Sequence, residues 1–234
     1  MARKKKIEKT YTKIALNNPK STSSEAFRTL RTNIQFANID KNIKSIVMTS
    51  SNPDEGKSTV LVNLAITMAH ADQKVLLIDG DLRKPTINKY FELVESYGLT
   101  NILMDGGEGN QGIQKISEVP GLEVITSGPI PPNPSELLSS DQMKRFLARM
   151  KEEYDIVLID APPVGVVTDA AILSTLVEGT LLTCRQGETL IESVEFAKEK
   201  LEKVNANILG VVLNGVKRTG KKYDYYYYNY SEEA

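Results

Sequence analysis

The sequence predicts a single α/β domain with a mostly parallel central sheet that is flanked by helices on both faces. Its 234 residues are within the range of one such domain, and 41% of them are hydrophobic, which is enough for a large core. Several short segments are apolar throughout, which is typical of strands that are buried on both faces. Segments with the helical spacing of apolar residues separate them, as in parallel sheets.

The elements follow in chain order. Residues 1–20 predict an extended, polar segment. A helix within 21–38 is predicted to begin near Thr22, because Thr22-Ser23-Ser24-Glu25 matches a capping box, and to end near Ala37. Strands and helices then alternate, although 84–120 show no clear pattern. The predicted strands are 44–50, 74–79, 122–126, 155–160, 180–185 and 207–214, and the predicted helices are 58–71, 141–153, 169–176 and 190–204.

The composition excludes several classes of protein. The net charge is −1, so bulk electrostatics predict no nucleic-acid partner. The single cysteine, Cys184, excludes an internal disulfide framework and fits a reducing compartment. There is no secretory signal and no run of the ~18–20 apolar residues that cross a membrane. We therefore expect a cytoplasmic protein that reaches the membrane only through a partner or its basic first residues.

Residues 51–59 follow a predicted strand and open a predicted helix. They read Ser51-Asn52-Pro53-Asp54-Glu55-Gly56-Lys57-Ser58-Thr59, which is the phosphate-binding loop pattern with Ser51 in place of the first glycine. The backbone N–H groups of such a loop and of the following helix point at an anion. Lys57 can place its charge on the β- and γ-phosphates, and the Ser58 hydroxyl can bind Mg²⁺. The segment therefore predicts a nucleotide site.

Three aspartates end two of the predicted strands. Asp79 and Asp81 follow Leu76-Leu77-Ile78, and Asp160 follows Leu158-Ile159. A lone aspartate at such a place is usually a helix cap or a turn residue. Three of them beside a phosphate-binding loop favour Mg²⁺ binding and base chemistry. Because Mg²⁺ takes only one or two carboxylates, one aspartate remains for an acceptor hydroxyl.

Tyrosines are concentrated in residues 217–234, which hold six of the ten in the chain. No Val, Leu, Ile or Met follows Val216, so this segment cannot bury itself, and we expect its phenols to lie in water on a flexible tail. A nucleotide site together with accessible phenols predicts tyrosine phosphorylation. The candidate phosphorylation sites are Tyr223, Tyr225, Tyr226, Tyr227, Tyr228 and Tyr230.

Together these segments resemble the bacterial tyrosine kinases of capsule and exopolysaccharide synthesis. The resemblance rests on residues 51–59, 77–85, 127–138, 160–163 and 210–214 and on the tyrosine cluster. It implies a P-loop NTPase fold, with 21–216 as the kinase domain, and a non-specific protein-tyrosine kinase. It also implies dependence on ATP and Mg²⁺ and autophosphorylation of the tail.

The resemblance implies a role for each polar residue of the site. Lys57 would hold phosphate, and Ser58 would be a ligand of Mg²⁺. Asp79 would accept the proton of the incoming tyrosine hydroxyl. Asp81 and Asp160 would hold the metal, partly through water.

Other residues carry an alternative interpretation. Asn214 would contact the adenine ring or cap the end of its strand. Arg83 would stabilise phosphate charge or pair with a carboxylate. Glu25, Arg28 and Arg31 match the Glu-x-x-Arg-x-x-Arg oligomerisation motif of the family, although the same spacing also gives ordinary surface ion pairs.

The resemblance also implies partners. These are a membrane adaptor of the polysaccharide chain-length-regulator type, further copies of the chain in a homo-oligomeric ring, a tyrosine phosphatase and protein substrates of polysaccharide synthesis. Two other functions remain open from the sequence. One is a partitioning ATPase, although that class has a lysine where this chain has Asn52. The other is a nucleotide-dependent interaction module that transfers nothing.

Overall fold

The computed structural model describes residues 11–37, 43–106 and 111–216. These residues form nine helices and one seven-stranded sheet. The helices are α1 (Ile14–Asn17), α2 (Thr22–Ala37), α3 (Lys57–Ala69), α4 (Ile87–Phe91), α5 (Leu99–Met104), α6 (Pro134–Ser139), α7 (Asp141–Glu153), α8 (Asp169–Ser174) and α9 (Ile191–Glu202). The strands are β1 (Ser45–Ser50), β2 (Val75–Asp79), β3 (Ile113–Lys115), β4 (Leu122–Ile125), β5 (Ile156–Asp160), β6 (Gly179–Arg185) and β7 (Ile208–Asn214).

The sheet has the strand order β3-β4-β2-β5-β1-β6-β7. All neighbouring strands are parallel except β3, which is antiparallel to β4. The prediction of a mostly parallel sheet with helices is therefore confirmed, whereas β3 falls in the stretch that showed no pattern. Because β2 and β5 are adjacent, Asp79 pairs in register with Asp160. The topology thus brings the two aspartates together at the carboxyl edge, where such sheets bind ligands.

Two apolar layers cover the two faces of the sheet. Alternate residues of β1 show the division, because Ile46 and Met48 pack with α2 and α3, whereas Val47 packs with α5, α7, α8 and α9. The strands β1, β2 and β5 are buried along their whole length, which explains their continuous apolar sequences. Phe146 of α7 is fully buried in the second layer, where truncation to alanine typically costs about 3–5 kcal/mol.

The start of α2 differs in detail from the predicted capping box. The N-cap is Ser21, whose hydroxyl accepts the backbone N–H of Ser24 at 3.1 Å. The side chain of Glu25 does not return to the cap but accepts a hydrogen bond from Nε of Arg28 at 2.8 Å. The predicted helix from near Thr22 to near Ala37 is therefore confirmed. Its N-cap lies one residue earlier than the predicted capping box, because several consecutive hydroxyl residues can each serve as a cap.

The described part of the N-terminal segment is packed rather than extended. Residues 14–17 form α1, and the N–H of Ala15 donates to Oδ1 of Asn63 on α3 at 2.8 Å. The amide of Asn63 in turn donates to the carbonyl of Thr12 at 2.9 Å. The prediction of an extended lead was wrong here, because its anchor lies 48 residues away in the sequence. Residues 1–10 lie outside the described residues, as does the tyrosine-rich segment 217–234.

Among the helices of the described residues, none has the length and the apolar character that a membrane crossing requires.

Candidate active site

The segment between β1 and α3 forms a tight loop at the carboxyl edge of the sheet. Gly56 has a φ of 90° and Asp54 a φ of 66°, so the backbone turns twice through the left-handed region. A side chain at Gly56 is excluded for a second reason, because a Cβ there would lie 2.0 Å from Nδ2 of Asn214. The predicted glycine of the phosphate-binding loop is therefore required both by its backbone angle and by a contact with β7.

The amino end of α3 is available to an anion. Gly56 is its N-cap residue and supplies no side-chain cap. Val60 donates its N–H to the carbonyl of Gly56 at 2.9 Å, so the N–H groups of Lys57, Ser58 and Thr59 lie at the open end of the helix. These groups and the helix dipole favour a phosphate at this end.

The ammonium group of Lys57 lies between two carboxylates. Its Nζ atom is 3.1 Å from Oδ1 of Asp160 and 3.2 Å from Oδ2 of Asp81. Burial alone would lower the pKa of Lys57, but the charges of Asp160, Asp81 and Asp79 together raise it. The lysine is therefore charged at neutral pH and is held at the start of the helix, where a phosphate would meet it.

The hydroxyl of Ser58 and the carboxylate of Asp160 form the group of oxygens that best fits Mg²⁺. Ser58 donates its hydroxyl to Oδ2 of Asp160 at 2.5 Å. The described residues contain no group of three or more His, Cys, Asp or Glu side chains that could form a metal cage. Mg²⁺ does not need one, because it commonly takes one or two carboxylates, waters and the phosphates of its nucleotide. The oxygens of Ser58, Asp160 and Asp81 suit that chemistry.

Asp79 is fully buried and is held by backbone N–H groups. Its Oδ2 accepts hydrogen bonds from the N–H groups of Thr86 and Ile87, both at 2.9 Å, and its Oδ1 accepts one from Asp81 at 3.2 Å. Burial, and then the nearby charge of Asp160, raise the pKa of Asp79 to about 7, although the hydrogen bonds from Ile87 and Thr86 and the charge of Lys57 lower it. A carboxyl group with a pKa near neutrality is suited to proton transfer at physiological pH.

Comparisons with known proteins agree with this geometry. An AAA domain family model matches residues 43–203. The tyrosine-protein kinase YwqD of Bacillus subtilis (strain 168) is 46% identical over 215 residues, which cover 92% of this chain and 90% of that protein. This chain belongs to the bacterial tyrosine-protein kinase family. The predicted resemblance is thus confirmed.

Two solved structures show the same fold as this kinase. One is the chimerical protein CapA2B2, with a TM-score of 0.85 and 40% identity, covering 90% of this chain and 92% of that chain. The other is the kinase domain of the Escherichia coli tyrosine kinase ETK, also with a TM-score of 0.85, and with 37% identity, covering 93% of this chain and 86% of that chain. Both matches extend over nearly the whole chain.

Asn214 of the kinase lies against the phosphate-binding loop at the carboxyl end of β7. Its Nδ2 donates to the backbone carbonyl of Glu55 at 3.0 Å. The carbonyl oxygen of Asn214 accepts the N–H of Gln186 at 2.9 Å. The side chain therefore fixes the loop to β7, and its contact with adenine stays a prediction.

Arg83 is engaged by a buried carboxylate. Its Nε and Nη2 atoms donate to the two oxygens of Asp169 at 2.8 and 2.9 Å, and Nη2 also donates to Oγ of Ser135 at 3.1 Å. Of the two interpretations that the sequence left open, the structure displays the carboxylate pair. The interaction joins the loop after β2 to α6 and α8.

The predicted oligomerisation residues lie on α2, away from the predicted catalytic residues. Glu25 and Arg28 pair with each other on the surface. Nη1 of Arg31 donates to the carbonyl of Thr67 at 3.1 Å. Thr67 lies ten residues after Lys57 on α3, so it is ~15 Å along the helix from its amino end. The structure therefore separates these residues from the nucleotide site. Their role in a subunit contact stays a prediction.

Two neighbours of the loop were missed at the sequence level. Tyr90 of α4 shares a hydrogen bond of 2.6 Å with the hydroxyl of Thr59, and burial raises its pKa to about 12. Thr189, in the connection between β6 and α9, donates its hydroxyl to Oε1 of Glu55 at 2.6 Å. Neither residue belongs to a motif, and only the fold brings them to the loop.

Proposed function

We propose that this chain is an ATP- and Mg²⁺-dependent autokinase that phosphorylates the tyrosines of its own C-terminal cluster. The observation that carries the proposal is the position of Lys57, which lies between Asp160 and Asp81 at the open amino end of α3. That arrangement supplies a point charge and free N–H groups for the phosphates of a nucleotide. The membership of the tyrosine kinase family supports phenol hydroxyls as acceptors.

Phosphate binding falls to the amino end of α3 and to Lys57. When ATP is bound, Lys57 would exchange its contact with Asp160 and Asp81 for the β- and γ-phosphates, and the N–H groups of 57–59 would donate hydrogen bonds to the phosphate oxygens. Ser58 and Asp160 would hold Mg²⁺, with Asp81 acting directly or through water. Bound there, the ion neutralises the charge that develops on the transferred phosphoryl group.

Asp79 is the base of the proposed mechanism. Tyrosine hydroxyls have a pKa of about 10 and are poor nucleophiles at neutral pH. The buried carboxylate, with its pKa of about 7, accepts the phenol proton as the oxygen attacks the γ-phosphate. Because an aspartate is a weak base, most of the rate comes from alignment of the acceptor and from neutralisation of charge around the phosphates.

The acceptor segment supports a cycle of binding and release. Residues 217–234 carry four basic and three acidic side chains, so their formal side-chain charge is near zero. Six phosphotyrosines add roughly −9 to −12 units of charge. An unmodified tail from one subunit enters the site of a neighbour, since eighteen residues reach at most ~60 Å. Accumulated phosphate then repels the tails from each other and from bound ATP.

A homo-oligomer, formed as a ring through α2, is the assembly that this cycle needs. Glu25, Arg28 and Arg31 share one face of that helix, and Nε of Arg31 has no hydrogen-bond partner within the described part of the chain. The side chains of that face that a neighbouring copy could reach are those of Glu25 and Arg28, which are 41% and 39% exposed. The ring brings each tail close to the next active site.

The membership of the tyrosine kinase family supports a cellular setting for the chain. We place the kinase in capsular or exopolysaccharide synthesis, where its further substrates are proteins of that pathway and a tyrosine phosphatase reverses its modification. A membrane adaptor of the chain-length-regulator type would hold it at the cytoplasmic face of the membrane. The adaptor would also activate it by completing the ATP site.

The decisive experiment incubates the chain with γ-labelled ATP and Mg²⁺, with and without the cytoplasmic segment of the adaptor, and maps phosphate by mass spectrometry. The proposal requires phosphate on tail tyrosines and more of it with the adaptor. Free phosphate alone would identify an ATPase switch of the partitioning class. No release and no transfer would indicate a nucleotide-binding interaction module.

A mixture of two variants tests transfer between subunits. One variant is Lys57→Met, which keeps its tail, and the other ends at residue 216 and keeps its active site. Phosphate on the Lys57→Met chain demonstrates transfer between copies. An unlabelled Lys57→Met chain, in a mixture whose second variant phosphorylates an added tail peptide, would exclude it.

A further inference from the structure

The carboxylate of Glu55 is buried inside the phosphate-binding loop, where the catalytic mechanism does not use it. The residue is 4% exposed. Its Oε2 accepts the backbone N–H groups of Ser51 at 2.8 Å and of Asn52 at 3.0 Å. Its Oε1 accepts the side-chain amide of Asn52 at 3.2 Å and the hydroxyl of Thr189 at 2.6 Å. One side chain thus holds the first two residues of the loop and a threonine 134 residues away.

The hydrogen bonds of Glu55 limit which backbone N–H groups of the loop can bind phosphate. The N–H groups of Ser51 and Asn52 already donate to Glu55, so they are occupied within the loop. Glu55 does not engage the N–H groups at the start of α3, so these stay available for phosphate. Glu55 therefore folds the entrance of the loop and leaves the helix end to bind the anion.

Thr189 connects this carboxylate to the segment between β6 and α9. Its hydroxyl oxygen accepts the N–H of Arg185 at 2.8 Å while its proton goes to Glu55. Nη1 of Arg185 donates to the carbonyl of Asp54 at 3.3 Å, so the same segment touches the loop a second time. All four donors to the Glu55 carboxylate are neutral groups. The position of the Glu55 side chain therefore depends on the geometry of these hydrogen bonds and not on an ion pair.

We infer that Glu55 is a positioning residue and that Thr189 sets its orientation, so that the shape of the phosphate-binding loop is imposed by the β6–α9 connection. This inference rests on the proposed binding of ATP at the loop. It assigns to Thr189 an indirect role, through Glu55, and no contact with the nucleotide. Loss of the hydroxyl should therefore weaken binding of the phosphates whether or not a base is attached to them.

The test compares Thr189→Val, which removes the hydroxyl from a side chain of the same shape, with Thr189→Ser, which keeps it. Calorimetric titrations use Mg²⁺-ATP and Mg²⁺-tripolyphosphate as separate probes. We expect Thr189→Val to weaken both probes by the same factor, about five- to tenfold, whereas Thr189→Ser stays within about twofold of the parent chain. In steady-state transfer the valine variant should raise KM with little change in kcat, because the loop holds phosphate equally in ground and transition states.

Glu55→Gln completes the test, because an amide cannot accept all four donors. When Thr189→Val is added to the Glu55→Gln variant, the affinity for either probe should fall by less than about twofold more. Such a small further loss would show that the two residues act through each other. Thr175→Val, which removes an exposed threonine hydroxyl at the end of α8, controls for the substitution itself.

Other results would contradict the inference or its premise. Weaker binding of ATP with unchanged binding of tripolyphosphate would overturn the inference, since Thr189 would then contact the nucleoside directly. Unchanged affinity for both probes, or additive losses in the double variant, would also overturn it. Failure of the parent chain to bind either probe would instead refute the proposed function on which the inference rests.

Discussion

The Nζ atom of Lys57 lies 3.1 and 3.2 Å from the two carboxylate oxygens of Asp160, which is 103 residues further along the chain. Asp160 is fully buried, and burial raises its pKa more than the lysine and the Ser58 hydroxyl lower it. The pair joins the first turn of α3 to the end of β5. A positive charge is therefore held at the start of α3 before any phosphate is bound.

Substitution of Lys57 should abolish transfer. Lys57→Met keeps an unbranched side chain that is one atom shorter and removes the charge, so we expect transfer at saturating ATP to fall by at least about 100-fold. Labelled phosphate on the tail measures the loss. Lys144→Met, which removes an exposed lysine of α7, is the matched control and should retain full transfer. Comparable losses in both variants would contradict the assignment.

Asp79 should matter for chemistry more than for binding. Asp79→Asn removes the base, and we expect turnover to fall by about 100-fold or more, with ATP affinity changed by less than about threefold. Nucleotide titration and single-turnover transfer measure the two quantities separately. Asp155→Asn is the control, because that aspartate also accepts a backbone N–H, from Lys74 at 2.8 Å, but precedes β5. Affinity lost in proportion to turnover would exclude the role as a base.

The face of α2 should control assembly rather than folding. Glu25 and Arg28 form an exposed ion pair, which contributes only about 0.2–0.5 kcal/mol to the monomer. The double variant Glu25→Ala/Arg28→Ala should therefore lower the mass seen by sedimentation while leaving the unfolding midpoint nearly unchanged. Asp141→Ala/Lys144→Ala removes an exposed pair with the same spacing on α7 and should not change the mass. Equal masses for all three chains would count against a contact through α2.

Glu178 should make the free energy of unfolding fall as the solution becomes acidic. Burial raises the pKa of Glu178, but the hydrogen bonds from Lys151 and Ser45 together lower it by more. The pKa therefore lies below its ordinary value of 4.5. A depressed carboxyl pKa contributes stability that is present above the unfolded value and is lost as the pH falls through the folded one.

We therefore expect Glu178→Gln to destabilise the fold by about 1 kcal/mol at pH 7, and by progressively less below about pH 4.5. Urea unfolding at several pH values between about 3 and 7 measures the difference, because the loss is expected as the pH falls through the folded pKa. Glu202→Gln, at an exposed ion pair of α9, should show no such trend. A constant difference across the series would rule out the titration of Glu178 as its source.

The sequence predicted the parts of the fold that local pattern determines. The continuous apolar strands and the loop at 51–59 identified the sheet and its carboxyl edge, and the structure brings Lys57, Asp81 and Asp160 into contact there. It did not predict α1, whose anchor Asn63 is on another helix, nor the antiparallel β3. The sequence also did not predict that Glu55 is buried, because a glutamate in a polar loop is ordinarily exposed to solvent. Its burial depends on hydrogen bonds from the loop itself and from Thr189, which is distant in the sequence.

The close approach between Gly56 and the amide of Asn214 has a consequence for biosynthesis. The loop comes early in the sequence and β7 is the last strand of the described sheet, so the loop can take its final form only when that strand has joined. A nascent polypeptide that still lacks residue 214 cannot yet make the hydrogen bond from Asn214 to the carbonyl of Glu55. Completion of the candidate nucleotide site is thereby coupled to the docking of a strand whose last residue lies 159 residues further along the chain than Glu55.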